Sequence, residues 1–92
     1  MMLTDYSEPS VVYKKARKMF GNDIEIKEST RKDKKYMLKS PAGRWIHFGQ
    51  MGYEDFTKHK NIMRREAFRH RNKKWKDADT YTPAYLSYWL LW

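Results

Sequence analysis

The sequence predicts an α+β fold, and three features of its pattern predict it. Apolar residues recur at helical spacing near the start, alternate with polar ones through the middle, and return to helical spacing after Asp55. The elements expected are a short N-terminal helix, a three-stranded antiparallel meander, a long basic helix and a short C-terminal helix. Ninety-two residues suffice for one modest core and not for two. Four Trp, seven Tyr and four Phe can fill that core although 34% of the residues are charged. The organisation expected is a loose N-terminus, residues 1–8, followed by a single domain, 9–92.

Each element has a local cause. Ser7 or Glu8 before Pro9 is a helix entry, because proline fits the first turn, where its missing N–H costs nothing. Val12, Ala16, Met19 and Phe20 continue the helix over 9–20, and Gly21-Asn22 stops it. Lys14, Lys15, Arg17 and Lys18 fall mostly on its wet side. Ile24 and Ile26 alternate with Asp23, Glu25 and Lys27, the period of a half-buried strand. Residues 35–39 and 44–48 read as two further strands joined by the turn Ser40-Pro41-Ala42-Gly43. A loop is expected from Gly49 to Tyr53.

From Asp55 the pattern is helical. Phe56, His59, Met63, Ala67 and His70 fall within a wedge of roughly 80° and are expected to face the sheet. Lys58, Arg65 and Arg69 lie opposite, with Arg64 and Arg71 on a flank beside Phe68 and Trp75. Met63 is expected to share one core with Met37 or Leu38 and with Trp45 or Ile46. Thr82-Pro83 then caps and opens a last helix, 83–92. There Leu86, Trp89 and Leu90 share a face, which predicts that Trp89 is buried more deeply than Trp92.

The charge points to a partner. The net charge is +9 and the isoelectric point about 9.8. Between Thr57 and Lys74 stand eight cations, Lys58, Lys60, Arg64, Arg65, Arg69, Arg71, Lys73 and Lys74, and one carboxylate, Glu66. Such a surface attracts polyanions, and counterion release supplies the free energy. Those eight are the candidate nucleic-acid-binding residues, with Lys58, Arg65 and Arg69 as the main phosphate contacts. The competing reading is a solvated basic face with no specific partner. Tyr53, Tyr81, Tyr85 and Tyr88 are amphipathic, and beside arginines such rings stack on unpaired bases. By size, Trp45, Phe48, Trp75, Trp89 and Trp92 are chiefly core. Trp89 and Trp92 are also candidate partner-docking residues, since a chain segment reading YWLLW completes its own core or another's.

Catalytic and metal patterns are sparse. With no cysteine, neither disulfides nor thiolate metal sites arise. His59 and His70 are eleven residues apart, so one continuous helix separates them by ~16 Å, too far for one metal. His47, Asp55 and His59 are a candidate general base with an orienting carboxylate, as a minimal metal-dependent nuclease would need. The segment has few carboxylates to hold a divalent ion. The expectation is therefore no enzyme, no cofactor and no metal. The opening MMLTDYSEPS has no secretory pattern, and the longest apolar stretch falls far short of the ~20 residues of a membrane span. A soluble intracellular protein without membrane contact is expected.

The stretch from Lys35 to Trp92 resembles a short, uncharacterised protein family associated with large DNA viruses and phages. The matching residues are Lys35-Tyr36, His47-Phe48-Gly49, Gly52-Tyr53, Asp55, Thr57, His59-Lys60, Arg64-Arg65, Arg69-His70-Arg71, Trp75 and Ser87 to Trp92. Phe68 stands where that pattern has tyrosine, and Asn61 where it has aspartate. The resemblance implies a viral origin, hence a setting in host cytoplasm, nucleus or virion, and brings no known activity. Three readings follow. The first is a small basic non-catalytic protein of viral origin that binds DNA or RNA electrostatically through one helix face. The second is a virion structural or cement protein that docks on virion proteins through its aromatic C-terminus. The third is the minimal nuclease.

Overall fold

The computed structural model describes residues 2–92. In chain order its elements are α1 (Pro9–Phe20), β1 (Ile26–Glu28), β2 (Lys34–Lys39), β3 (Trp45–Gln50), α2 (Phe56–His59), α3 (Ile62–Arg71) and α4 (Pro83–Leu86). Short 3-10 turns span Leu3–Asp5 and Lys73–Asp77, and a π-helical turn spans Ser87–Leu91. The fold is α+β, as the pattern predicts.

Helix α1 has the predicted bounds. Pro9 opens it, and Gly21, at φ +97°, closes it with its N–H on the Arg17 carbonyl at 2.8 Å. Val12 and Ala16 turn into the core. The sheet has the order β1-β2-β3, all antiparallel, with Tyr36 opposite Phe48 and Leu38 opposite Ile46. Alternation sends Tyr36, Leu38 and Phe48 into a core shared with Leu3, Val12, Ala16, Leu86, Leu90 and Leu91. Strand β1 begins only at Ile26, so Ile24 packs on the core from the preceding turn. Strand β3 runs through Gly49 and Gln50, which the sequence reading assigns to a loop. Gly49 has φ +83°, and a Cβ there would sit 2.9 Å from Leu91 Cδ1 and 3.1 Å from Lys35 Cβ.

Four expectations need correction. The N-terminus is not loose over residues 2–8, because Leu3 and Ser7 are buried and Tyr6 accepts the Asp55 N–H at 3.0 Å; Met1, part of that expectation, lies outside the described residues. The long helix is broken. Lys60 takes a left-handed conformation (φ +55°), and Asn61 restarts the helix by accepting the Arg64 N–H at 3.1 Å. That break turns the phase of α3 by about half a turn. Met63 is 83% exposed, and Ala67 and His70 are exposed, while Arg65, Phe68 and Arg69 face inward. The core therefore does not include Met63. Finally, the last helix becomes a π-helical turn after Leu86, so Leu90 and Leu91 are both buried with Tyr88, and Trp89 and Trp92 are both half-buried.

A buried polar network ties these pieces together. Lys35 Nζ donates to Asp55 Oδ2 at 3.1 Å, to the Tyr53 carbonyl at 2.6 Å and to the Tyr6 carbonyl at 3.4 Å. The Tyr36 hydroxyl donates to Ser7 Oγ at 2.7 Å, and Ser7 shares a hydrogen bond with Thr57 at 3.1 Å. Thr57 accepts the Glu8 N–H and donates to Asp55 Oδ1. Burial pulls the Lys35 ammonium below its ordinary pKa, with Asp55 opposing, and pushes the Tyr36 hydroxyl above its own.

Two substitutions test this frame by denaturant unfolding. Gly49→Ala forces a side chain into occupied space at a positive φ and should cost about 1–3 kcal/mol. Lys35→Met strands a buried carboxylate and should cost about 3–5 kcal/mol; adding Asp55→Leu should recover part of it, because no lone charge then stays buried.

Candidate nucleic-acid interface

The eight predicted cations divide into two groups. Lys58 is half-buried and pairs with Glu8 at 4.0 Å. Arg65 donates to Glu66 at 3.1 Å and lies over the Phe56 ring, 4.7 Å from its centroid. Arg69 donates to the Trp92 carbonyl at 2.8 Å and lies over the Tyr88 ring, with its Nε enclosed and unpartnered. Arg65 and Arg69 are thus tied into the body, because the break at Lys60 turned their face inward, and Lys58, which precedes the break, is held beside Glu8. Lys60, Arg64, Arg71, Lys73 and Lys74 are exposed. Arg64 pairs with Glu54 at 3.5 Å, and the other four have no ion pair among the described residues. Neither α3 nor the 3-10 turn after it buries a single residue, so this cationic stretch lies on the surface.

Inversion of α3 turns Arg64, Ala67 and Arg71 toward a cleft of about 910 Å³. Its floor is Lys35, Gly49 and Leu91, and its aromatic lining is Tyr53, Phe68, Trp75 and Trp92. Phe68 and Trp92 are stacked, with centroids 4.2 Å apart and planes 7° from parallel, and Trp75 meets Phe68 edge-on at 5.8 Å. Lys34, Arg64 and Arg71 stand at the same cleft with one acid, Glu54. Lys35 contributes little charge, being neutralised by Asp55. The sequence reading missed Lys34, which lies one residue before the strand it expected over 35–39. Its position opposite Gln50 exists because β3 continues past Gly49. The expected neighbourhood of Phe68 and Trp75 with Arg64 and Arg71 is present, and Trp92 joins it. Trp89 instead packs on Tyr85 and Tyr88 and donates to the Lys76 carbonyl at 3.2 Å.

The candidate catalytic group does not form a hydrogen-bonded set. His47 Nδ1 is 2.7 Å from Ser29 Oγ, Asp55 is engaged by Lys35 and Thr57, and His59 Nδ1 accepts the Asn61 N–H at 2.9 Å. Among the described residues no cluster of three or more His, Cys, Asp or Glu side chains could hold a metal ion. None of the described helices is long and apolar enough to cross a membrane.

Residues 24–72 match the model of a Family of unknown function (DUF5754). The chain belongs to that family. The DUF5754 segment contains the whole sheet, α2 and α3, and so includes Lys35, Gly49, Asp55, Thr57, Arg64 and Arg71. It begins upstream of the resemblance read from the sequence and ends before Trp75 and the closing YWLLW. Leu3, Ser7 and the residues from Leu86 to Trp92, which complete core and cleft, lie outside it. No curated protein and no solved structure matches the chain.

His59 ties the stability of the fold to pH. Its Nε2 is enclosed without a partner, and its ring lies 5.2 Å from that of Trp92. Burial holds its pKa below the ordinary value, with Arg64 and Lys35 acting the same way and Glu54 and Asp55 opposing. His47 is lowered too, by burial and Arg31 against Asp33. As pH falls below about 6.5 the unfolded chain takes up these protons first, so stability is full above that value and lost on acidification through the folded pKa. Melting temperature between pH 7.5 and 5 should therefore fall, and should fall less in His59→Asn, which keeps an acceptor for the Asn61 N–H. An unchanged slope in that variant would remove His59 from the account.

Proposed function

We infer that this protein is a small, basic, non-catalytic protein of viral origin that binds nucleic acid electrostatically. The observation that carries the reading is the surface run Arg71, Lys73, Lys74 and Lys76, exposed and without ion pairs among the described residues. Lys34 stands at the same cleft as Arg71. The cationic excess is felt inside the fold as well. Lys15 is held below its ordinary pKa first by burial and then by Arg69 and Arg65, with Asp55 opposing, and a bound polyanion would relieve that repulsion. Contacts of this kind position a phosphate backbone and carry little sequence selectivity. Trp89 and Trp92 both have partners within the chain, which favours this reading over docking on a virion protein through the same rings.

Salt dependence tests it. Four phosphate contacts on duplex DNA should give a slope of log K against log salt near −3.6, from ~0.9 per phosphate. Lys73→Gln with Lys74→Gln should reduce the magnitude by ~1.8 and leave the melting temperature within a degree or two, since neither side chain is buried. An affinity indifferent to salt, or absent at low salt, refutes the reading.

A further inference from the structure

We propose that the cleft between α3, the end of β3 and the C-terminal helical turn receives an unpaired base of single-stranded nucleic acid, with the flanking phosphates held by Arg71 and Lys34. This rests on the nucleic-acid reading above and names the form of the polymer. Three observations carry it. First, the cleft is lined by both kinds of group that a nucleotide needs: aromatic rings from Tyr53, Phe68, Trp75 and Trp92, and cations on the same rim. Phe68 and Trp92 already cover one face of each other, so Tyr53 is the most open of these rings; bases stack on such a ring whatever their sequence, because every base has a π-face. Second, Tyr53 is 70% exposed although it is a large ring, so it is not serving the core. Its carbonyl is fixed by Lys35 at 2.6 Å, which anchors the residue at the cleft while the ring stays in water. Third, Arg71 and Lys34 have no acidic partner among the described residues, so the charge at the rim complements a phosphate. At about 910 Å³ the cleft is within the usual range for sites that enclose a ligand.

The consequence runs against simple electrostatics. A duplex carries more charge per unit length than a single strand, so a purely basic surface prefers the duplex. A duplex also keeps its bases stacked and paired, out of reach of a cleft. Preference for the single strand therefore reports the cleft and not the charge.

The experiment is a tryptophan-fluorescence titration at low salt with dT12, with rU12 and with a 12-base-pair duplex, repeated with Tyr53→Ala. Trp75 and Trp92 lie in the cleft, so a stacked base should quench emission. The expected result is a quench on adding dT12 or rU12, single-strand affinity at least tenfold above duplex, and a loss of about tenfold for Tyr53→Ala on the single strand alone, as one stacking contact implies. Tyr53 is exposed, so the variant should melt like the parent. Equal affinity for single strand and duplex without a quench overturns the base-binding cleft and leaves the basic surface standing. So does a single-strand preference untouched by Tyr53→Ala. Saturation of the same quench by thymidine monophosphate at the oligomer's concentration would make the ligand a free nucleotide and overturn the polymer. Binding to none of these probes removes both readings together.

Discussion

The buried Lys35–Asp55 pair is the constraint on which the rest of the molecule is arranged. Each partner is nearly inaccessible to water, so each needs its remaining hydrogen-bonding capacity filled from nearby backbone or hydroxyl groups. Filling it brings three separate stretches of chain to one point. Tyr6 and Tyr53 supply carbonyls to the ammonium, Thr57 supplies a hydroxyl to the carboxylate, and Ser7 and Tyr36 extend the chain of hydroxyls. The pair is a poor source of net stability, because desolvation offsets its attraction, and burial holds the Lys35 ammonium below its ordinary pKa despite Asp55. What it fixes is geometry. The path by which segment 53–57 leaves the sheet satisfies these groups, and it sets where α2 begins and where the Tyr53 ring stands.

Much of the second half follows from two residues, Lys60 and Asn61. One residue in the left-handed region and one extended residue suffice to end α2 and start α3 with a new phase. Without them Met63, Ala67 and His70 would face the body, and Arg65 and Arg69 would face water. With them the arginines take inward places that apolar residues usually fill. They remain tolerable there because each finds an aromatic face, Phe56 for Arg65 and Tyr88 for Arg69, and Arg69 also finds a carbonyl. The other two arginines, Arg64 and Arg71, are thereby delivered to the cleft. Charge was legible in the sequence; its direction was not.

That distinction describes what could be read in advance. Helix α1 was legible to the residue because proline, an apolar repeat and glycine act locally. The hairpin was legible because alternation and a Ser-Pro-Ala-Gly turn are local too. The errors share one cause. Gly49 reads as a loop residue, and only the approach of Leu91 from the far end of the chain explains why a strand needs it. Asn61 reads as an ordinary polar position, since asparagine inside a helix and asparagine as a cap look alike until the preceding residue's φ is known. Leu3 and Ser7 looked solvated because their partners, Thr57 and the late leucines, are fifty residues or more away. Of the interface, the cationic stretch and the grouping of Phe68, Trp75, Arg64 and Arg71 were legible. Lys34 and Trp92 were not, because their places depend on how far β3 runs and on how the C-terminus turns.

That turn links core and cleft. In a regular α-helix beginning at Pro83, Leu86 and Leu90 would stack on one side, and Leu91 would rotate ~100° away from Leu90. Widening to a π-helical turn lets Leu86, Leu90 and Leu91 all reach the core. Leu91 can lie against β3 only where the strand has no side chain, and Gly49 supplies that gap. The next residue, Trp92, is thereby carried onto Phe68, where Arg69 holds its carbonyl. The missing Cβ of Gly49, the extra residue in the turn and the stacked pair that walls the cleft are therefore one device. Filling the gap at Gly49 would push Leu91 outward, move Trp92 off Phe68 and open the cleft, so a change made in the sheet would be felt first at the surface where nucleic acid is proposed to bind.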